Sequence, residues 1–207
     1  MTARDVDSSG RPGRRVTAAE LGQGFDARMI AATGVMIAVV FVMTRVFQPS
    51  IGPGGYIHLG DIGIYVAAFV FGPLVGLIAA AFGTSLADLQ SGYGAWAPGT
   101  FVIHGLQGLV AGLIAWRGGL PRLIAAVVAG GAIVVIGYFL YMLIFIPAGV
   151  LDADEGESAA ATALAAVWPN TFQVLAAAVI AVPLVLALRA AYPPIRRWGA
   201  GPSWVEE

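Results

Sequence analysis

The chain has 207 residues, 58% of them hydrophobic and 11% charged, with a formal net charge of −1 and a mean hydropathy of +0.83. A soluble domain carries about 25% charged residues, so this composition excludes a single water-soluble core and points to an integral membrane protein. The near-zero net charge argues against nucleic acid as a partner, and the absence of cysteine excludes disulfides and thiol chemistry.

Residues 1–24 are polar and rich in Gly, Arg and Ser. They lack the apolar core of about 7–15 residues that a signal peptide needs, which predicts a disordered cytosolic tail with a short helical turn at Thr17–Leu21. Residues 25–191 hold six apolar segments: Ala27–Phe47, about Leu59–Phe71, Leu74–Leu89, Phe101–Trp116, Leu123–Ile146 and Val167–Leu188. The expected fold is all-α, a bundle of six transmembrane helices. A spanning helix needs about 20 apolar residues; segments one, five and six meet that, and the glycine-rich segments two, three and four are shorter. Segments two and three are either two full spans or one re-entrant pair. The Gly72-Pro73 turn between them favours two spans, because Asp61 and Asp88 then lie at one membrane face. Residues 147–166 begin with a proline and an acidic run and then become alanine-rich. That sequence forms helix readily, so it either extends segment six or lies across the bundle as a lid. Residues 192–207 form a cytosolic or interfacial tail in which Trp198 and Trp204 suit the membrane surface.

All eleven basic residues are arginines. With six spans, Arg4, Arg11, Arg14, Arg15, Arg28, Arg117, Arg122, Arg189, Arg196 and Arg197 fall on one side. That side is the cytosol by the positive-inside rule, and both termini are cytosolic. The opposite side carries Asp152, Asp154, Glu155 and Glu157. Only Arg45 departs from the pattern, at the outer end of segment one. The localisation expected is a bacterial plasma membrane, crossed several times.

The polar residues of the spans gather at that outer depth: Arg45, His58 and Asp61, Asp88, His104 and Gln107, Asn170 and Gln173, with Tyr138 and Tyr141 in segment five. A charge inside a bilayer costs roughly 2.5–3.5 kcal/mol or more, so ionisable groups there face a cavity or one another. This asymmetry predicts a pocket open to the outside. Tyr93 and Trp96, in the loop Gln90–Thr100, are either interfacial anchors or flat faces for stacking a ring. The candidate ligand residues are therefore Arg45, His58, Asp61, Asp88, Tyr93, Trp96, His104, Gln107 and Asn170. No metal-binding or catalytic set is expected: neither GxSxG nor HExxH occurs. There is also no GxxxxGK[ST] nucleotide loop, so active transport would draw on ATP used by partner subunits, with no cofactor in this chain.

Small residues form stripes. Ala27, Ala31, Gly34 and Ala38 recur at +4, +3, +4 and share one face of segment one, where close approach of another helix is possible. That face packs either against the chain's own helices or against a partner. Gly72, Gly76, Ala80 and Gly83 on segment three, and Gly105, Gly108 and Gly112 on segment four, read as internal packing.

HLGD at 58–61, FGPLVG at 71–76, GTSLADL at 83–89, SGY at 91–93 and APGTFVIHGLQGLVAG at 97–112 resemble the substrate-binding (S) component of energy-coupling factor (ECF) transporters. The resemblance is to the riboflavin-type subgroup, which includes predicted transporters of thiamine precursors. It implies a six-helix membrane subunit that captures a water-soluble vitamin or precursor, riboflavin-like or pyrimidine-like, from outside. It also implies docking on a transmembrane T component coupled to two cytosolic ATPases. Ala27 and Ala31 match the Ala-x-x-x-Ala docking face on the first helix. One position departs from the pattern: before GLQG, where relatives commonly carry Lys, this sequence has His104. A switchable imidazole there replaces a fixed cation. Two other readings stand beside this one. A self-sufficient secondary carrier would place its sites near the midplane between repeated halves, and a membrane-embedded enzyme would use an Asp/His pair as acid and base.

Overall fold

The computed structural model describes residues 27–50, 56–153, 155–193 and 195. The predicted tail 1–24, its turn at Thr17–Leu21, Asp154, and the segment 196–207 with Trp198 and Trp204 lie outside the described residues. Six helices are present among the described residues: α1 Ala27–Val46, α2 Gly60–Phe71, α3 Pro73–Ser91, α4 Ala97–Ala115, α5 Leu120–Phe145 and α6 Ala159–Ala191. Five are long and apolar enough to cross a membrane. The sixth, α2, is not a full-length span. Its last five residues, Ala67–Phe71, widen into a π-helical turn. At its start the chain is irregular, but His58 and Gly60 are buried there. Non-helical backbone is tolerated at membrane depth only where protein covers it; His58 is covered, whereas Leu59 is exposed.

Segments two and three are distinct helices, a short α2 and a span-length α3, joined where Gly72 takes φ 99° and Pro73 opens α3. Only glycine accepts that backbone without strain, and a Cβ on Gly72 would also stand 3.0 Å from the Trp116 ring. The alanine-rich stretch is no lid: it is continuous with segment six, giving the 33-residue α6. Ser158 caps it, accepting from the Ala161 amide at 3.2 Å.

The helices approach closely through glycine. A Cβ on Gly108 would lie 2.3 Å from the Gly76 carbonyl oxygen, and one on Gly112 would lie 2.5 Å from Pro73 Cα. α3 and α4 therefore meet backbone to backbone, as small residues allow in lipid. Gly83 does the same for α1, its missing Cβ leaving room for Val40. The core runs through Tyr65, Phe69, Leu123, Val134, Ala177 and Val185, and a second cluster joins α1 to α2 and α3 through Met36, Val40, Ile64 and Val75.

Both connections at the end bearing the α2–α3 turn are locked. Arg189, one of the predicted topology-setting cations, is buried. Its guanidinium donates to the carbonyl of Gly118, to that of Phe69 at 2.8 Å and to that of Ala115 at 3.5 Å. Phe69 and Ala115 lie in the last turns of α2 and α4, whose carbonyls lack the full set of intrahelical partners, and Gly118 lies in the α4–α5 connection. Beside it, Arg117 adopts a positive φ of 61° and lies 4.2 Å above the Trp116 ring. The opposite end of the bundle holds the polar residues.

The glycine contact yields a test. Gly108→Ala should lower stability by about 1–3 kcal/mol through overpacking. Gly34→Ala, where a Cβ meets nothing within 4 Å, should leave stability unchanged or slightly raised. Thermal unfolding of the two purified variants checks both, and equal melting temperatures would contradict the backbone contact.

Candidate functional site

The site begins with the loop between α1 and α2. An isolated antiparallel bridge pairs Ser50 with Tyr56, and the Ile57 amide bonds the Pro49 carbonyl at 3.2 Å. These contacts fold the loop back over the bundle. Ser91, at the end of α3, donates to Gln48 Oε1 at 2.9 Å, and the Tyr56 hydroxyl donates to Asp88 Oδ1. α3 ends at Gly92 in the left-handed region, whose amide bonds the Asp88 carbonyl. That turn carries Tyr93 back over the site, its ring 4.9 Å from that of Tyr56.

Between loop and helices lies a pocket of about 450 Å³, open solvent at its mouth included, lined by Tyr56, His58, Asp88, Tyr93, Trp96, Thr100, Tyr138, Met142, Asn170 and Gln173. Trp96 and Tyr138 stand 6.1 Å apart, and the Thr100 and Tyr138 hydroxyls are 2.9 Å apart. Asp88 is 3% exposed, and its Oδ2 has no hydrogen-bond partner among the described residues.

Beneath the pocket sits a fully buried polar layer. Gln173 of α6 donates from Nε2 to Asp61 Oδ2 at 2.8 Å, and its Oε1 accepts from the His58 amide at 2.8 Å. The carboxylate and the N–H fix which way the amide points. Asp61 Oδ1 lies 3.3 Å from His104 Nδ1, and both residues are 0% exposed. Gln107 Oε1 lies 2.7 Å from the same nitrogen. With two acceptors facing it, His104 Nδ1 carries a proton. His104 Nε2 and Gln107 Nε2 have no partners among the described residues.

The predicted residues therefore divide. His58, Asp88, Tyr93, Trp96 and Asn170 line the pocket. Asp61, His104 and Gln107 form the layer below it. Arg45 is exposed at the end of α1 and does not line the pocket. Five lining residues, Tyr56, Thr100, Tyr138, Met142 and Gln173, were not among the candidate ligand residues. Gln173 carried a signal, a second amide one turn from Asn170; Met142 carried none, being one apolar residue among many.

Among the groups outside the spans, burial pushes the His58 imidazole down to about 4. The Asp61 carboxylate opposes that shift and His104 adds to it. His58 is thus neutral, and Nδ1, accepting from the Gly60 amide at 3.1 Å, places its proton on Nε2. Burial also pushes the Tyr56 hydroxyl upward, with the Asp88 charge acting in the same direction, so Tyr56 remains a donor.

Fold and site together define a helical membrane protein with a polar, aromatic-walled pocket at one end. A family model described as "ECF-type riboflavin transporter, S component" matches residues 24–190. The chain belongs to this family of ECF transporter S components, which are transporter subunits rather than enzymes, and it is a multi-pass protein of the plasma membrane. It is 28% identical over 156 residues to the thiamine precursor transporter HmpT of Lactococcus lactis subsp. cremoris, covering 74% of this chain and 83% of that one. It is 38% identical over 104 residues to an uncharacterized protein of Pyrococcus woesei, covering 49% of this chain and 68% of that one. Two solved structures share the fold. The S component of a bacterial ECF transporter aligns with a TM-score of 0.58 at 16% identity, over 79% of this chain and 96% of that one. ThiT of Listeria monocytogenes aligns with a TM-score of 0.59 at 17% identity, over 82% and 97%.

Histidine 58 supplies a pH test. Its folded value lies below the ordinary 6.5, so on acidification the unfolded chain takes the proton first. The stability linked to neutral His58 is complete above pH about 6.5 and is lost as pH falls toward 4. Asn at this position keeps an acceptor for the Gly60 amide and cannot titrate. The melting temperature of His58→Asn should therefore fall less between pH 7 and pH 4.5 than that of the parent; superimposable profiles would refute the assignment.

Proposed function

We propose that the chain is the substrate-capture subunit of an ATP-driven ECF importer and binds a water-soluble vitamin or precursor, riboflavin-like or pyrimidine-like, from the extracellular side. The observation that carries this is Asp88. It is a buried carboxylate bonded by Tyr56 and near the Thr100 hydroxyl, lining a pocket walled by Tyr56, Tyr93, Trp96 and Tyr138, in a chain of the S-component family. A mostly apolar cavity with a few convergent polar groups is the usual design for a small ligand. The rings offer stacking faces, Asp88 accepts from a ring N–H or amine, and Asn170 and Thr100 add directional contacts. Asp61, His104 and Gln107 support the floor. The similarity to a thiamine precursor transporter agrees with a heteroaromatic ligand, and the predicted arginine distribution puts the pocket outside.

The partners in this reading are a transmembrane T subunit and two ATPases. Docking uses the α1 stripe: Ala27, Ala31, Gly34 and Ala38 are all exposed, whereas Met29, Thr33, Met36 and Val40 turn inward. The stripe is therefore left free by the chain's own packing.

In lipid nanodiscs the purified chain should bind its vitamin without hydrolysing ATP. Asp88→Ala should weaken binding about tenfold or more, equivalent to about 1.4 kcal/mol, and Asp61→Ala should weaken it by loosening the floor. Full affinity in both variants, read by titration calorimetry, would overturn the site. Separately, Ala31→Leu with Gly34→Leu should abolish co-purification with co-expressed T and ATPase subunits while ligand binding persists; an intact complex would remove α1 as the docking face.

A further inference from the structure

A carboxylate with no exposed surface needs a counter-charge, because an apolar interior solvates ions poorly. Asp61 is such a group: it lies on α2 beneath the pocket and is 0% exposed. Its Oδ2 accepts from Gln173 Nε2 at 2.8 Å, but an amide is neutral and supplies no charge. Among the described residues no arginine serves. Arg28, Arg45, Arg117 and Arg122 are exposed, and Arg189 is bonded to carbonyls at the opposite end of the bundle. The chain has no lysine, and residues 51–55 of the covering loop read IGPGG. The chain's two histidines are left.

Geometry separates the two. His58 Nδ1 accepts from the Gly60 amide at 3.1 Å; a second proton on that ring would cost the bond, so His58 stays neutral. His104 Nδ1 stands 3.3 Å from Asp61 Oδ1 and 2.7 Å from Gln107 Oε1. Both are acceptors, so this nitrogen carries a proton. Protonating Asp61 on Oδ1 would set donor against donor there. With Nδ1 alone protonated the ring is neutral and Asp61 stays unbalanced. A further proton on Nε2 makes the ring the cation that Asp61 lacks.

The other groups around the ring bring no competing positive charge. The Asp88 carboxylate on α3 acts on it through its charge, and the neutral His58 ring, just before α2, lies 5.3 Å away. Tyr138 of α5 lies 5.7 Å away at 65°, within the reach of a cation–π contact. The effect of the pair runs upward. Asp61 orients Gln173, whose Oε1 holds the His58 amide at 2.8 Å, and both His58 and Gln173 line the pocket. His104 reaches the pocket only through these groups, which makes it a positioning residue.

We propose that His104 stands as an imidazolium, the counter-ion of Asp61, and that this buried ion pair fixes Gln173 and the covering loop in the form that captures substrate. The position requires the charge rather than the imidazole ring. Its effect on capture rests on the function proposed above; the ion pair itself does not.

With only two histidines in the chain, nitrogen-15 NMR of the histidine-labelled full chain in nanodiscs tests the pair directly. At about pH 7.5 a free imidazole, whose ordinary value is about 6.5, is mostly neutral. The spectrum should show one neutral ring and one ring protonated on both nitrogens, and His58→Asn should remove the neutral ring's signals alone. Two neutral rings, or loss of the doubly protonated ring in His58→Asn, overturns the ion pair. Charge replacement then reads its role. His104→Gln should lower the melting temperature and weaken binding of thiamine or riboflavin at least about tenfold, and His104→Lys should recover most of both. A His104→Gln protein that binds like the parent, or a His104→Lys protein no better than His104→Gln, overturns the requirement for charge. If neither vitamin binds the parent, vitamin capture fails, while the nitrogen spectra and the order of melting temperatures still decide the ion pair. The spectra need no His104 variant, so a misfolded one leaves the test intact.

Discussion

The pocket depends on one side chain that touches two other elements. Gln173 of α6 holds the Asp61 carboxylate of α2 with its nitrogen and the His58 amide of the covering loop with its oxygen. In an apolar medium these groups have no water to fall back on, so each must find a partner inside the protein. That requirement joins the first loop, α2 and α6 at one depth, and through Asp61 it reaches His104 and Gln107 on α4. The same requirement explains why hydroxyls elsewhere in the spans turn back on their own helices, as Thr33 does to Met29 and Thr84 to Ala80, both at 2.7 Å. Several buried polar atoms that are not so satisfied lie at or beneath the site, on Asp61, Asp88, His104 and Gln107, and of these residues Asp88 lines the pocket.

Close packing lets this layer exist at all. Because Gly76 and Gly108 bring α3 and α4 into backbone contact, Asp88 near the end of one helix and Thr100 near the start of the next stand on the same wall of the pocket. At the other end Arg189 and Trp116 hold the two turns together. The bundle is tied at both ends by different means, carbonyls around a guanidinium at one and a side-chain network at the other.

Much of the architecture was legible in the sequence, because hydropathy and glycine turns are local properties. All six segments correspond to helices, and Gly72-Pro73 is the turn it was read as. The length of α2 was not legible. Leu59–Phe71 is apolar apart from Asp61, and nothing in it says that the helix starts only at Gly60, with His58 buried in non-helical chain before it. The fate of Arg189 was equally hidden: a terminal arginine reads as a topology signal until three carbonyls are seen around it. At the site, charge and rarity pointed to Asp61, Asp88 and His104. They could not say that Asp61 lies beneath the pocket, bonded to Gln173, while Asp88 lines it, since that depends on Gln173 lying across from Asp61. Nor could they show that Arg45 is exposed and outside the pocket lining. Met142 and Thr100 became part of the site only through the geometry of neighbouring helices.

The length of α6 has a consequence for where the pocket sits. Its 33 residues extend about 50 Å at 1.5 Å per residue, against a hydrocarbon layer of about 30 Å. Tilting alone does not absorb that mismatch, since membrane helices rarely lean beyond about 40°. Part of α6 must therefore extend beyond the acyl chains. Its first turns, where Ala163 and Ala166 pack with Met142 and Leu151, belong to the same end of the bundle as the pocket, so a polar rim there has helical support that an isolated loop would lack.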